Sequence, residues 1–154
     1  MEIADIVAPE GVIANLKATS KKQALQELAR RAAEATGLHE RTIFDTLLER
    51  ERLGTTGVGG GIAIPHGKMP DIDRIFGLVA RLERPIDFEA IDERPVDLIF
   101  LLLAPENAGA DHLKALARVS RLLRDKTIRK KLRGSDDAQA IYALITEYSA
   151  SQAA

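Results

Sequence analysis

The feature that most constrains the fold is an apolar run in the second half of the chain, Val96–Ala104, with the sequence VDLIFLLLA. Its apolar side chains fall on both alternating faces, which is typical of a central strand covered by helices on both sides. Its longest uninterrupted apolar part, Leu98–Ala104, is far too short to span a bilayer. The run therefore predicts a layered domain around a buried strand, without membrane insertion.

Patterns on either side of this strand give a coarse map of the chain. Extended segments are predicted at Val12–Leu16 (an edge strand), Ile62–Ile64 and Ile75–Leu82. Helices are predicted from an S-x-x-Q capping box at Ser20 to a stop at Gly37, over His39–Arg52, after Pro105, and near Asp137–Tyr148. Helices at both ends of a strand-rich middle indicate an α/β or an α+β domain, and the pattern leaves the strand order open.

Composition excludes several classes of protein. A chain of 154 residues is expected to form one domain, and its last residues, 149–154, have the composition of a loose tail. It contains no cysteine, so disulfides, thiolate metal sites and cysteine nucleophiles are excluded. The net charge of −1 and an acidic N-terminus predict neither bulk attraction to nucleic acid nor a signal peptide, so a cytoplasmic protein is expected.

One histidine stands in an unusual context. The segment Gly54–Gly61 holds five of the chain's 11 glycines, a density that excludes a helix. It leads into Ile64-Pro65-His66-Gly67-Lys68, where His66 follows a residue that fixes φ and precedes one that permits a tight reversal. A neutral imidazole offers one nucleophilic nitrogen and one N–H donor. From spacing alone, His66 is either a reactive group or a turn histidine that caps a carbonyl.

Other candidates have equally ordinary alternatives. Arg50 and Arg52 close the second predicted helix, where a guanidinium could reach a phosphoryl group over the glycine segment or simply complement the helix C-terminus. His112 stands where the helix after Pro105 begins, so it is either a surface residue or an imidazole kept neutral by the helix dipole. His39 is expected to be a cap or a surface residue.

Common nucleotide and metal motifs are missing. Gly67-Lys68 does not belong to a P-loop, because Ile62 and Met69 stand where glycine and Ser or Thr are required. No histidine pair has metal-binding spacing, so neither a metal nor a cofactor is expected.

Charge is unevenly distributed along the chain. The segment Lys114–Arg133 carries nine basic residues and one acid, whereas Glu83–Asp97 carries six acids and two arginines. The basic run predicts a solvated helix face or a docking surface for an acidic partner, and the absence of interleaved aromatics weighs against nucleic acid. The two segments are expected to face different partners or each other.

The longest motif resembles a known family. Residues 47–57, LLERERLGTTG, followed by residues 61–68, GIAIPHGK, are similar to the enzyme IIA proteins of the bacterial phosphoenolpyruvate-dependent phosphotransferase system. Within the fructose/mannitol type, the chain most resembles the stand-alone nitrogen-regulatory IIA proteins. The resemblance extends over residues 6–148, which are taken as a single IIA domain, and it implies a mixed β-sheet flanked by helices on both sides.

The resemblance also implies site residues and partners. His66 would accept a phosphoryl group on its ε nitrogen from the phosphohistidine of HPr or of a nitrogen-branch relative of HPr. Arg50 matches the family's active-site arginine, and His112 matches the second histidine that helps to hold the phosphoryl oxygens. With loop N–H groups, these side chains would neutralise the transferring group, and the chemistry requires neither metal nor nucleotide.

Three functions compete at this point. The first is a regulatory phosphocarrier whose binding to target proteins (in nitrogen, potassium or carbon regulation) depends on phosphorylation of His66. The second is a sugar-specific IIA that passes the phosphoryl group to a IIB partner, which must be a separate chain because IIB proteins of this class use a cysteine. The third is a binding module that keeps the fold but not the phosphorylation.

Overall fold

A computed structural model describes residues 1–153, which form one six-stranded mixed sheet and five α-helices. The strands are β1 (Val12–Leu16), β2 (Gly57–Gly59), β3 (Ile62–Ala63), β4 (His66–Met69), β5 (Phe76–Ile86) and β6 (Val96–Pro105). The helices are α1 (Lys21–Thr36), α2 (Glu40–Leu53), α3 (Ala110–Arg124), α4 (Lys126–Arg133) and α5 (Ala138–Ala153). Two short 3₁₀ turns, Ile3–Asp5 and Pro9–Gly11, precede β1.

Strand β6 lies at the centre of the sheet. It pairs antiparallel with β5 on one side, and on the other it pairs parallel with β3 and then with β4. Strand β1 pairs parallel with β5 and forms one edge, while β2 pairs with β3 and forms the opposite edge. The predicted edge position of Val12–Leu16 is therefore confirmed.

Alternate side chains of β6 enter two separate cores. Ile99, Leu101 and Leu103 pack with residues of α1 and α2, whereas Leu98, Phe100 and Leu102 pack with residues of α3, α4 and α5. All six are at most 3% exposed. The prediction of a strand covered by helices on both faces is confirmed, and the fold is the α/β class with a mixed sheet.

The predicted capping signal at Ser20 starts α1. The Ser20 hydroxyl accepts a hydrogen bond of 3.1 Å from the backbone amide of Gln23. The Gln23 side chain reaches back to the Thr19 amide at 2.6 Å, one residue earlier than in the standard capping box. Helix α1 ends where predicted, with Gly37 as its C-cap.

Several segment boundaries differ from the predictions. His66 opens strand β4 instead of sitting in a turn, and β5 continues to Ile86 where a loop was expected. The Asp125 carboxylate accepts the Ile128 amide at 3.1 Å, which starts the separate helix α4. The predicted loose tail at residues 149–154 is helical as far as Ala153, and Ala154 lies outside the described residues.

Strand β4 forms although Pro65 precedes it and Gly67 lies within it, because its one strand partner among the described residues is β6. Proline lacks an amide donor, but the Pro65 carbonyl still accepts the Leu102 amide at 3.0 Å. The chain thus leaves β6 briefly between β3 and β4 and rejoins it at His66, whose register partner is Leu102.

Candidate functional site

Helix α2 approaches strand β4 unusually closely. A Cβ atom at Gly67 would lie 2.6 Å from Cγ2 of Thr46, a separation that real side chains do not adopt. Glycine at position 67 therefore permits the contact. Because Arg50 lies one helical turn after Thr46, the approach brings its guanidinium to the start of β4.

His66 is held in one tautomer. Its Nδ1 lies 2.9 Å from the carbonyl oxygen of Ile64, and its Nε2 lies 3.3 Å from Nε of Arg50. A carbonyl oxygen only accepts hydrogen bonds, so Nδ1 carries the proton. Nε2 is therefore an unprotonated acceptor, and the Arg50 N–H donates to it.

The Arg50 guanidinium is anchored at a second point. Its Nη1 donates to the carbonyl oxygen of Gly54 at 2.9 Å, which is an acceptor left free by the end of α2. Arg50 thus complements its helix terminus, as one of the two alternatives from the sequence expected, and contacts His66 at the same time; its contact with a phosphoryl group stays a prediction.

His112 completes a cluster of three side chains. Its ring centroid lies 5.6 Å from that of His66, and the two rings are tilted by 48°. His112 is 9% exposed, so the alternative of a surface residue is wrong. Among the described residues, its buried Nδ1 has no hydrogen-bond partner. Burial, together with the charges of His66 and Lys68, lowers the pKa of His112, which favours the neutral imidazole at neutral pH.

The cluster lies at the floor of an open cleft between α2, β4 and the start of α3. The cleft is lined by Thr46, Glu49, Arg50, Arg52, Leu53, His66, Gly67, Lys68 and His112. The third histidine, His39, is instead an exposed N-cap residue of α2 without a side-chain capping bond. The structure therefore brings together the three residues predicted for the site, which are distant in sequence.

The sequence of this chain matches the model of a known protein family. The model of the phosphoenolpyruvate-dependent sugar phosphotransferase system, EIIA 2, matches residues 5–148. The chain belongs to this family.

Relatives of this EIIA chain include regulatory and sugar-specific proteins. It is 68% identical to a nitrogen regulatory protein of Bradyrhizobium diazoefficiens, over 94% of this chain and 95% of the relative. It is 37% identical to a fructose-specific EIIA component of Haloferax volcanii, over 83% and 84% of the two chains. The crystal structure of the nitrogen regulatory protein IIA-Ntr of Neisseria meningitidis superposes with a TM-score of 0.88, at 34% identity, over 94% of this chain and 99% of that one.

Two exposed leucines of this EIIA domain lie in the cleft or next in sequence to one of its residues. Leu53 at the end of α2 is 85% exposed, and Leu113, next to His112, is 68% exposed. Leu113 faces away from the core, which α3 contacts through Ala115, Val119 and Leu122. Both leucines are therefore exposed to contact by another protein.

Four backbone amides of the glycine segment are bonded within the protein. The amides of Gly54 and Thr56 donate to the backbone and the side chain of Glu51, respectively, and that of Gly57 donates to Thr55 Oγ1. The Gly60 amide donates to Asp92 at 3.0 Å. These four amides are therefore already occupied, and the expectation that loop N–H groups help to hold a phosphoryl group stays a prediction.

The triple glycine of the segment serves the packing of a turn. Gly60 and Gly61 have φ values of 68° and 80°, and Cβ atoms there would collide with the guanidinium groups of Arg129 and Arg133. Arg133 also pairs with Asp97 at 2.9 Å, so the basic and acidic segments face each other at this point. The remaining basic residues of α3 and α4 are largely solvent-exposed.

Sequence reasoning missed one buried acid beside the site. Glu51, the residue after Arg50, is 7% exposed and contacts both Lys21 and Thr56. The signal was present in the spacing: Ile43, Leu47 and Glu51 recur every four residues, which places the carboxylate on the buried stripe of α2.

Neither a metal site nor a membrane span is found among the described residues. Within residues 1–153, no group of three or more His, Asp or Glu side chains could hold a metal ion. In the same part of the chain, no helix is both long enough and apolar enough to cross a membrane.

Proposed function

We propose that this EIIA protein is a phosphohistidine carrier that accepts a phosphoryl group on Nε2 of His66. The observation that carries the proposal is the hydrogen bond from Nδ1 to the Ile64 carbonyl, which leaves Nε2 as the nucleophilic nitrogen. Arg50 donates to that same atom, so a cation already lies where phosphoryl charge would arrive.

The transfer balances without a metal or a nucleotide. Nε2 of His66 forms a bond to phosphorus while the P–N bond of a donor phosphohistidine breaks, and the donor imidazole takes back the electron pair. In the same step the Arg50 guanidinium turns from Nε2 to the phosphoryl oxygens, and neutral His112 offers an imidazole N–H to them. The Nδ1–H of His66 continues to donate to the Ile64 carbonyl oxygen, which stabilises the positive charge that develops on the ring.

The donor is HPr or its nitrogen-branch relative, and the output is regulatory. Leu53, which lines the cleft, and Leu113, which follows His112, offer exposed apolar contacts to the carrier. Phosphorylation adds about −1.5 to −2 charges to this surface, enough to change the docking of target proteins. The 68% identical relative is named a nitrogen regulatory protein, which supports regulation as the role. Because the donor is a cytoplasmic carrier, we place the protein in the cytoplasm.

Phosphorylation by purified components tests this function. The protein is incubated with phosphoenolpyruvate, enzyme I and either HPr or the nitrogen-branch carrier, and its intact mass is measured. We expect one acid-labile phosphoryl group on the wild type and on the matched control His39→Ala, and none on His66→Ala. A folded wild type that stays unmodified with both carriers would leave a binding module as the function.

A sugar-specific role is the second candidate, favoured by the fructose-specific relative. It predicts that the phosphorylated protein passes its phosphoryl group to the cysteine of a separate IIB protein. Incubation of the phosphorylated protein with purified fructose- and mannitol-type IIB proteins separates the two roles. Rapid transfer to one of them supports sugar uptake, whereas a stable phosphorylated protein supports regulation.

A further inference from the structure

The buried carboxylate of Glu51 joins three segments. Its oxygens accept the Thr56 amide at 2.9 Å and the Thr56 hydroxyl at 2.5 Å, and one of them lies 3.0 Å from Nζ of Lys21. The side chains of Glu51 and Lys21 are only 3% and 14% exposed. Because Lys21 opens α1, Glu51 joins the last turn of α2 to the first turn of α1. It also binds Thr56 in the segment that leads from α2 to β2.

Two further hydrogen bonds lead from Thr56 to the reactive histidine. The Thr56 carbonyl accepts the Ile64 amide at 3.0 Å. The Ile64 carbonyl then accepts Nδ1–H of His66 at 2.9 Å. Thr56 and Ile64 therefore connect the Glu51 carboxylate to the carbonyl that selects the His66 tautomer.

The other nitrogen of His66 is reached from the same turn of α2. Arg50, the residue before Glu51, contacts Nε2 at 3.3 Å. The Glu51–Thr56 bonds thus hold together two halves of the site: the helix that presents the cation and the backbone that orients the ring. Loosening them would allow Arg50 and the Ile64 carbonyl to move relative to each other.

We propose that Glu51 is a positioning residue, which fixes the tautomer and orientation of His66 through Thr56 and Ile64. The inference rests on the proposed phosphoryl transfer only for its kinetic effect, because the orientation of the ring is a property of the unmodified protein. Lys21 supplies the counter-charge that makes a buried carboxylate tolerable at this position.

Stability alone does not account for the arrangement. A buried ion pair contributes little more than apolar residues of similar volume would, because both groups lose their hydration. A carboxylate has four acceptor sites, however, and here it binds both donors of Thr56 and the ammonium of Lys21. The orientation of His66 therefore depends on the hydrogen bonds from Thr56 to the Glu51 carboxylate, rather than on its charge.

Two double variants separate hydrogen bonding from charge. Both carry Lys21→Met, so neither leaves a buried ammonium without a partner; one adds Glu51→Gln and the other Glu51→Ala. The glutamine oxygen still accepts the Thr56 amide, whereas alanine accepts nothing. As a matched control, Asp97→Asn/Arg133→Met removes a partly buried ion pair at the opposite end of β6, about 16 Å along the strand from the register partner of His66.

The first readout is the tautomer of His66, measured from its ring ¹⁵N chemical shifts without any phosphoryl donor. We expect a single Nδ1–H tautomer in the wild type, the control and the glutamine variant, and a mixture of tautomers in the alanine variant. The second readout is the rate of phosphorylation by the carrier. It should fall about 10- to 100-fold in the alanine variant, the size of effect typical of a misplaced reactive group, and stay near the wild-type rate in the other two.

A single His66 tautomer and an unchanged rate in the folded alanine variant would overturn the inference. Equal losses in the glutamine and alanine variants would do so too, because they would indicate charge rather than hydrogen bonding. If the alanine variant does not fold, Lys21→Met/Glu51→Met, which fills the space of the carboxylate but accepts no hydrogen bond from the Thr56 amide, is expected to show the second tautomer. A wild type that is never phosphorylated would refute the proposed function and leave the tautomer test intact.

Discussion

Nε of Arg50 and Nε2 of His66 lie 3.3 Å apart, and the same guanidinium binds the Gly54 carbonyl at 2.9 Å. The guanidinium therefore donates hydrogen bonds both to the carbonyl at the end of α2 and to the imidazole of His66. Its two contacts use different nitrogens, Nε and Nη1, in the fixed geometry of a planar fork.

Arg50→Lys should slow phosphorylation although it keeps the charge. A single ammonium cannot contact His66 and Gly54 in this geometry and also follow the phosphoryl oxygens, so we expect a loss of about 10- to 100-fold in rate. The rate of phosphorylation by the carrier is the measurement. Arg41→Lys, in an exposed pair with Asp45, is the control and should have the wild-type rate.

Gly67→Ala should destabilise the protein by about 1–3 kcal/mol, because the added Cβ overpacks the contact with Thr46. The second change Thr46→Ser removes the methyl group that the Cβ would meet. Urea unfolding of the two single variants and the double variant gives the coupling energy. We expect the double variant to recover part of the loss, and a purely additive result would contradict this account of the close approach.

Acidification should destabilise the fold through His112. Its pKa is lowered mainly by burial, so the folded protein binds a proton less readily than the unfolded chain does. The stabilisation is complete above the unfolded pKa of about 6.5 and is lost as the pH falls from there through the folded value. Urea unfolding at pH 7.5 and pH 5 measures the loss, which should be smaller in His112→Gln than in the wild type.

Charges on the rim of the cleft should weaken recognition of the carrier. Leu53→Asp and Leu113→Asp remove exposed apolar contacts, so we expect a higher KM for the phosphorylated carrier at an unchanged free energy of unfolding. Ile91→Asp is the matched control, since Ile91 is 72% exposed and neither lines the cleft nor follows a cleft residue in sequence, whereas Leu53 lines it and Leu113 follows His112. An equal effect of all three variants would indicate general repulsion rather than docking at the cleft.

The layered architecture was predictable because the alternation of apolar side chains along a strand can be read from a few consecutive residues. The two apolar faces of Val96–Ala104 required a helix layer on each side, and the structure has both. The cap at Ser20 and the stop at Gly37 follow from backbone groups within one turn. Strand order depends on contacts between distant residues, which periodicity does not record.

The site was predictable only through the family motif. Arg50, His66 and His112 meet because α2 packs on β4 and α3 begins beside it, and no spacing rule relates positions so far apart. The turn predicted at His66 is a strand, since pairing with β6 tolerates the missing amide of Pro65. Glu51 was missed because a charged helical residue is normally solvated, whereas here Lys21 and Thr56 compensate its burial.

Four backbone amides of the glycine segment, those of Gly54, Thr56, Gly57 and Gly60, are already bonded within the protein. A nest of rigid backbone amides is a preformed binding site for a phosphate group and holds it tightly. A site built instead from the side chains of Arg50 and His112 can relax once the group departs. For the proposed phosphohistidine carrier, which must release its phosphoryl group as readily as it accepts it, binding by movable side chains is the better arrangement.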